Sequence, residues 1–399
     1  MAFSSGVEKR VVISKETTWG TLPATNTGTI FGRTEATFNL ERAQFQSAMI
    51  TDTAQTSDSR SGSDSIAGTL NAELSAGTYK DIFAQLLRGP WATGATYTAS
   101  TISAASGKFV RSTGSWVTDG YKIGDRVTVT GFTAPATANN ANWLVIGVTA
   151  TDLSVAEVNG TTVTVKAAGD SVTIAVAGKK LVTPLASGSR TDDSFTVEEF
   201  YTATNEAYLT TGVKFGSAAV QVQPNQMTTV NFSAMGRTQD KKTTAGAYFT
   251  APIAASTSGM FSGNRGIVVI DGVVQGVITA ANFEINGNME AGEVILQRQA
   301  ANIFLGRIGA TGEISVYYQN STFYDKFKAE TDVTLIMFFD AGNGQEMVFT
   351  FPRCRLGGVN NDDKEVGGII STMPFTALLP DGTNAVLNTS TVVIQDTLA

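Results

Sequence analysis

The chain has 399 residues, 42% apolar and 16% charged, with a net charge of −7, one cysteine and no histidine. That length calls for two or three domains. The absent histidine removes the commonest neutral-pH base and metal ligand, a single thiol excludes internal disulfides and cysteine-built zinc sites, and the mild acid excess argues against gripping nucleic acid by its phosphates. So low a charged fraction implies a neutral polar surface, of the kind that packs against copies of itself. No apolar run reaches the roughly 18–20 residues of a membrane helix. The start MAFSSGVEKR lacks the apolar core of a secretion signal, so synthesis and folding in a reducing cytoplasm are expected.

In chain order, Val11–Ile13 read as a short strand and Thr17–Pro23 as an ordered loop. Phe38 and Leu40 alternate with Asn39 and Glu41, the pattern of a strand with one buried face. Residues 51–67 are polar and rich in Gly, Ser and Asp, and read as a long exposed hairpin tip. Leu70, Ala72 and Leu74 form the returning strand. A helix follows, with Thr78 as its expected N-cap, Asp81 three residues on, the stripe Ile82, Phe83, Leu86, Leu87, and a stop at Gly89-Pro90. Residues 100–190 are short Val/Ile/Thr runs broken by DG, NG and GD turns, as in a small inserted all-β module. Residues 194–235 resume the first unit, and 237–262 read as a connector.

The second unit repeats the first. GTLNAELSAGTYKDIFAQLLR (68–88) returns as GEISVYYQNSTFYDKFK (312–328) at a constant offset, so Gly68 meets Gly312, Asp81 meets Asp325 and Phe83 meets Phe327. Phe283 and Ile285 echo Phe38 and Leu40, and Phe375-Thr376-Ala377 is aligned with Phe232-Ser233-Ala234. Asp271-Gly272 and Gly342-Asn343-Gly344 signal hairpins, and Asn360-Asn361-Asp362-Asp363 reads as a turn. The second hairpin tip, 289–308, is far more apolar than the first. The expected division is 1–99 with 191–250 as one discontinuous unit, 100–190 as the insert and 251–399 as the second unit.

KETTWGTLP (15–23), the strand Phe38–Ile50, GTLNAELSAGTYKDIFAQLLRG (68–89), VNFSAMG (230–236) and IISTMPFTAL (369–378), in this order and duplicated, carry a resemblance. The chain resembles the tail tube proteins (major tail proteins) of long, non-contractile-tailed bacteriophages, in the version with two tube domains per chain. The resemblance implies a mainly β fold: two β-sandwich or barrel-like domains, each with a flanking helix, plus the inserted β module facing outward. It implies trimeric, pseudo-sixfold rings stacked into a tube, an inner β-barrel channel for genome delivery, and a virion location. It implies contacts with other tail proteins (tape measure, terminator, tail tip), with viral DNA met only in transit, no membrane and no cofactor.

Glu41, Glu73, Glu284 and Glu313 lie on the polar side of the expected inner strands and are candidates to face the channel, where they would repel DNA. Asp52, Asp58, Arg60 and Asp64 are candidates for ring stacking. The spacing of those aspartates does not fit a calcium loop, and no catalytic motif or metal site stands out. Cys354 and the four tryptophans read as packing residues, and the pairs Lys241/Lys242 and Arg353/Arg355 as solvated or ion-paired. The competing readings are another virion β protein, such as a tail terminator, decoration or receptor-binding protein, and a carbohydrate-active or carbohydrate-binding module resting on 100–190 alone.

Overall fold

The computed structural model describes residues 4–25, 27–50, 52, 55–158, 160–363 and 366–399. The first unit opens with β1 (Lys9–Lys15), β2 (Thr29–Ile30), β3 (Glu35–Gln46) and β4 (Ser59–Glu73), then α1 (Lys80–Leu87) and β5 (Trp91–Thr93). Seven strands follow: β6 (Thr96–Ala99), β7 (Ile102–Ala105), β8 (Lys108–Arg111), β9 (Arg126–Thr130), β10 (Asn142–Val148), β11 (Asp152–Glu157) and β12 (Val172–Val176). Next come β13 (Lys179–Val182), β14 (Phe195–Tyr201), β15 (Glu206–Val222), β16 (Thr229–Gly236) and β17 (Thr238–Lys241). The remainder holds β18 (Gly266–Ile270), β19 (Val273–Gln275), β20 (Ile278–Asn286), β21 (Met289–Gly292), β22 (Asn302–Leu305), β23 (Gly309–Tyr317) and α2 (Thr322–Lys328). It closes with β24 (Val333–Asp340), β25 (Glu346–Leu356), β26 (Asn360–Asp362), β27 (Ile370–Ala377) and β28 (Val393–Asp396). The fold is mainly β, as the resemblance implies.

One antiparallel strip organises the molecule. Its strand order is β3–β4–β16–β15–β20–β23–β27, with the end of β25 and β26 along the far side of β27. The two units meet inside it through β15 and β20, from Ser217↔Asn286 to Val222↔Ala281. β15 serves two layers. Its first half pairs with β14 and β17 behind the strip, and its second half lies in the strip. The register slips between Phe215 and Ser217, where the strand passes from one layer to the other.

Strand alternation sorts the strip into two faces. Ala36, Phe38, Leu70, Phe232, Val220, Phe283, Ile314 and Phe375 are buried in one core that runs through both units. Behind that core stands a second layer, β18–β24–β25–β28–β13–β5. Leu335, Met337 and Phe339 of β24 face the shared core, while Ile336 and Phe338 between them face backward. There they meet Leu144 of β10 and Ala156 of β11. β6–β12 form their own seven-stranded sheet around Trp116, Tyr121 and Trp143. Polar contacts reinforce its seat: Arg126 ion-pairs with Glu346, and Gln395 Nε2 donates to the Arg126 carbonyl at 2.9 Å. This sheet lies between β5 and β13 in sequence and packs on β24 and β25, on the side away from the strip's polar face.

Three local expectations change. Ser59–Ala67 is strand, not loop, paired from Gln46↔Ser59 to Asn39↔Ala67, because backbone pairing serves polar residues as well as apolar ones. Thr78 does not cap α1. Its hydroxyl contacts Ser75 Oγ at 2.7 Å and Ser258 Oγ at 3.2 Å, and the helix begins at Lys80. The helix ends on Arg88 in the left-handed region, its N–H reaching the Ala84 and Gln85 carbonyls. Asn360–Asp362 is not a turn but β26, paired with Ile370–Thr372.

Candidate functional site

The second face of the strip is polar from end to end. Thr37 and Thr69 share a hydroxyl contact of 2.8 Å, as do Ser217 and Ser233, and Thr69 stands opposite Ser233. These four hydroxyls form a row across β3, β4, β16 and β15. Ser315 and Thr372 repeat the contact at 3.1 Å in the second unit.

The ladders place Glu41, Glu73, Glu284 and Glu313 all on this face: Glu41 opposite Ser65, Glu73 opposite Thr229, Glu284 between Ala219 and Thr311, and Glu313 opposite Asn282. Glu41 and Glu313 are exposed, Glu73 and Glu284 half-buried. Sequence reading missed Glu35 and Asp362, which alternation puts on the same face. Glu35 accepts from Asn71 Nδ2 at 3.0 Å, and its place in the TEATF alternation was the available signal. Basic side chains on this face include Arg355, committed to Asp332 at 2.9 Å, and Arg60, which stands opposite Phe45 and pairs with Asp58 at 3.0 Å. Burial pushes the Asp332 carboxyl up, but hydrogen bonds from Arg355 and Arg353 outweigh it and hold the group below its ordinary value. Both pairs singled out as basic are thus engaged within the chain, Lys241 with Glu206 and Lys242 with the Ala247 carbonyl.

The hairpins β3–β4 and β20–β23 turn at the same end of the strip, since strand direction alternates along it. They touch there, the Asp64 N–H donating to the Arg298 carbonyl at 2.7 Å. The four stacking candidates separate. Asp52 and Asp58 lie on the connection between β3 and β4, whereas Arg60 and Asp64 lie within β4. Asp58 pairs with Arg60 at 3.0 Å, and Asp64 takes both Nε and Nη2 of Arg42, at 2.5 and 3.3 Å. Apolar residues are among those exposed at this end: Phe45, Met49 and Ile50 on one hairpin, Ile295, Leu296 and Phe304 on the other, with Ile50 97% and Leu296 101% exposed. Phe45, Met49 and Ile50 had no apolar run to announce them.

The described residues contain no cluster of three or more potential metal ligands, and no helix among them is long and apolar enough to cross a membrane. Cys354 is buried, and burial raises its thiol well above the ordinary range. A family model described as phage tail tube protein matches residues 6–377. No curated protein matches the chain. With nearly its whole length covered by that model, the chain belongs to the phage tail tube protein family.

Proposed function

We propose that the chain is the repeating structural subunit of a long, non-contractile phage tail, with no catalytic role. Three copies close a pseudo-sixfold ring, and stacked rings form the tube that delivers the genome. The observation that carries this reading is the strip itself, which spans both units, shows one acid-bearing polar face, and ends on two strand edges. Eight strands per chain and three chains give 24 strands. At about 4.8 Å each this is roughly 115 Å of circumference, a channel wide enough for duplex DNA.

In this reading the units are 1–99 with 191–250, and 251–399, while 100–190 faces outward. Glu41, Glu73, Glu284 and Glu313 line the channel and repel passing phosphates, so the DNA slides without being held. The protruding hairpin ends, with Asp52, Asp58, Arg60 and Asp64 on the first, meet the next ring. The ends of the tube meet other tail proteins. Negative-stain microscopy of the concentrated protein tests the reading. Stacked hollow rings are expected; monomers persisting at every concentration and salt condition would overturn it.

A further inference from the structure

Within the strip, β15 and β20 join the two halves of the sequence repeat by main-chain pairing. Along β20, the Gly287 N–H donates to the Gly216 carbonyl at 2.7 Å. Facing backbone groups recur at every second residue, so Ile285, Phe283 and Ala281 also turn theirs toward β15. Phe38 is the counterpart of Phe283, since each stands opposite the repeated glycine, Gly68 or Gly312.

The backbone groups of Phe38 likewise point away from β4, and side chains meet them. The Phe38 N–H faces the Glu199 carboxylate. The Phe38 carbonyl accepts Gln239 Nε2 at 2.7 Å, and the Ala36 carbonyl accepts Lys9 Nζ at 2.7 Å. Three polar side chains thus occupy the positions that β15 occupies on β20, which keeps an edge strand from indiscriminate pairing.

The other end of the strip is the counterpart of β15. Ala219, Val220 and Gln221 pair with Asn231, Val230 and Thr229, and Asn360, Asn361 and Asp362 pair with Thr372, Ser371 and Ile370. The helices complete the comparison. Phe83 of α1 is fully buried, packed on Phe232 of its own unit and on Phe349 of the other at 5.6 and 5.8 Å. Its counterpart Phe327 is 37% exposed, and no residue of α2 is buried. Beside α2 lies a groove of about 460 Å³ lined by Tyr317, Tyr324, Val359 and Asn361.

We infer that the occupant of this edge and groove is the first unit of a second copy, docked in the register of β15 on β20. Asn361 then stands opposite Phe38 of the second copy, Asn360 opposite Asn39 and Asp362 opposite Thr37. Main-chain bonds replace those from Lys9, Glu199 and Gln239, and α2 is covered as α1 already is. The inference rests on the tube reading and adds to it a specific pair of edges, a register and a role for α2.

The test uses the full chain, in which Cys354 is buried. Asn39→Cys combined with Asn360→Cys should give covalent dimers and trimers on oxidation of assembled rings. Asn39→Cys combined with Asp362→Cys, slipped by two residues, should give several-fold less. Equal or stronger cross-linking of the slipped pair overturns the register. Rings visible by microscopy with neither pair cross-linking overturn the edge pairing while the tube reading stands. Wild-type protein that never forms rings removes both. Phe327→Glu should keep the monomer's thermal midpoint yet raise the concentration needed for assembly about tenfold or more, as expected for losing a packed aromatic contact. Unchanged assembly would remove α2 from the interface.

Discussion

Gly68 and Gly312 occupy one place in the repeat and solve it differently. A Cβ on Gly68 would lie 2.3 Å from the Phe38 ring, whereas one on Gly312 would lie 2.6 Å from the Phe375 ring. The ring is supplied by β3 in one unit and by β27 in the other. Consequently Phe375, not Ala377, stands where Ala234 stands, two residues from the alignment read off the sequence. The equivalence of the glycines was legible because it is local. Which neighbour fills the space was not, because it is decided by register between strands distant in sequence. Gly68→Val should destabilise the monomer by about 1–3 kcal/mol through overpacking. Gly309→Val, with open space around it, should stay within about 0.5 kcal/mol. Urea denaturation of the two variants checks the contrast. Asp396 gives a pH signature. Burial raises its pKa despite N–H bonds from Leu398 and Gly77. The unfolded chain ionises this group near pH 4 (about 3.9 in model peptides), so above that value the native state holds the extra proton. Its contribution therefore falls as pH rises from there to the raised folded value, then levels off. Asp396→Asn should flatten part of that decline in thermal midpoint. Burial also raises Glu198, Glu199 and Asp125, so some slope should remain.

At the scale of elements, the two helices separate folding from assembly. The stripe Ile82, Phe83, Leu86 and Leu87 was readable from its spacing, and all four residues are buried. The cap was not readable, because Thr78 is engaged by Ser258, 180 residues away. β26 was missed for a related reason. Asn360-Asn361-Asp362 has the composition of a turn, and only its pairing with β27 makes it a strand. Phe83→Ala should cost the isolated chain about 3–5 kcal/mol, the usual penalty for emptying a buried aromatic site. Phe327→Ala should cost within about 0.5 kcal/mol, as for an exposed residue. Thermal denaturation of dilute protein measures both, and equal losses would mean that α2 is already part of the core.

Across the whole molecule, the layers explain a run that sequence reading left unused. LIMFF (335–339) in β24 is apolar at every position because both its faces are buried, one on the shared core and one on the inserted sheet. That run was a legible sign of a third layer, but it could not say which segment would cover it. The alternation around Phe38, Leu70, Phe283 and Ile314 was legible, and the four glutamates picked from sequence fall on one face of the strip, whereas Ser59–Ala67 and Asn360–Asp362 were not read as strand. Replacing Glu41, Glu73, Glu284 and Glu313 together by lysine should leave assembly intact and make the particles retain duplex DNA in a gel-shift assay at low salt. Retention should fall steeply as salt is raised, as for any phosphate-dominated contact. Particles that still ignore DNA would place these side chains away from the channel.

The strand β28 pairs with β13 on one side and β25 on the other, and Asp396 reaches back to the Gly77 N–H at 2.7 Å. This seam has a consequence for synthesis. β13 is complete at Val182 and its partner begins at Val393. At ribosomal speeds of 5–20 residues per second that interval lasts about 10–40 s. Throughout it the nascent chain must hold an open edge beside β13 while the inserted sheet folds by itself. A chain that stopped short of Val393 would lack the strand that joins β13 to β25, leaving both edges open behind the shared core.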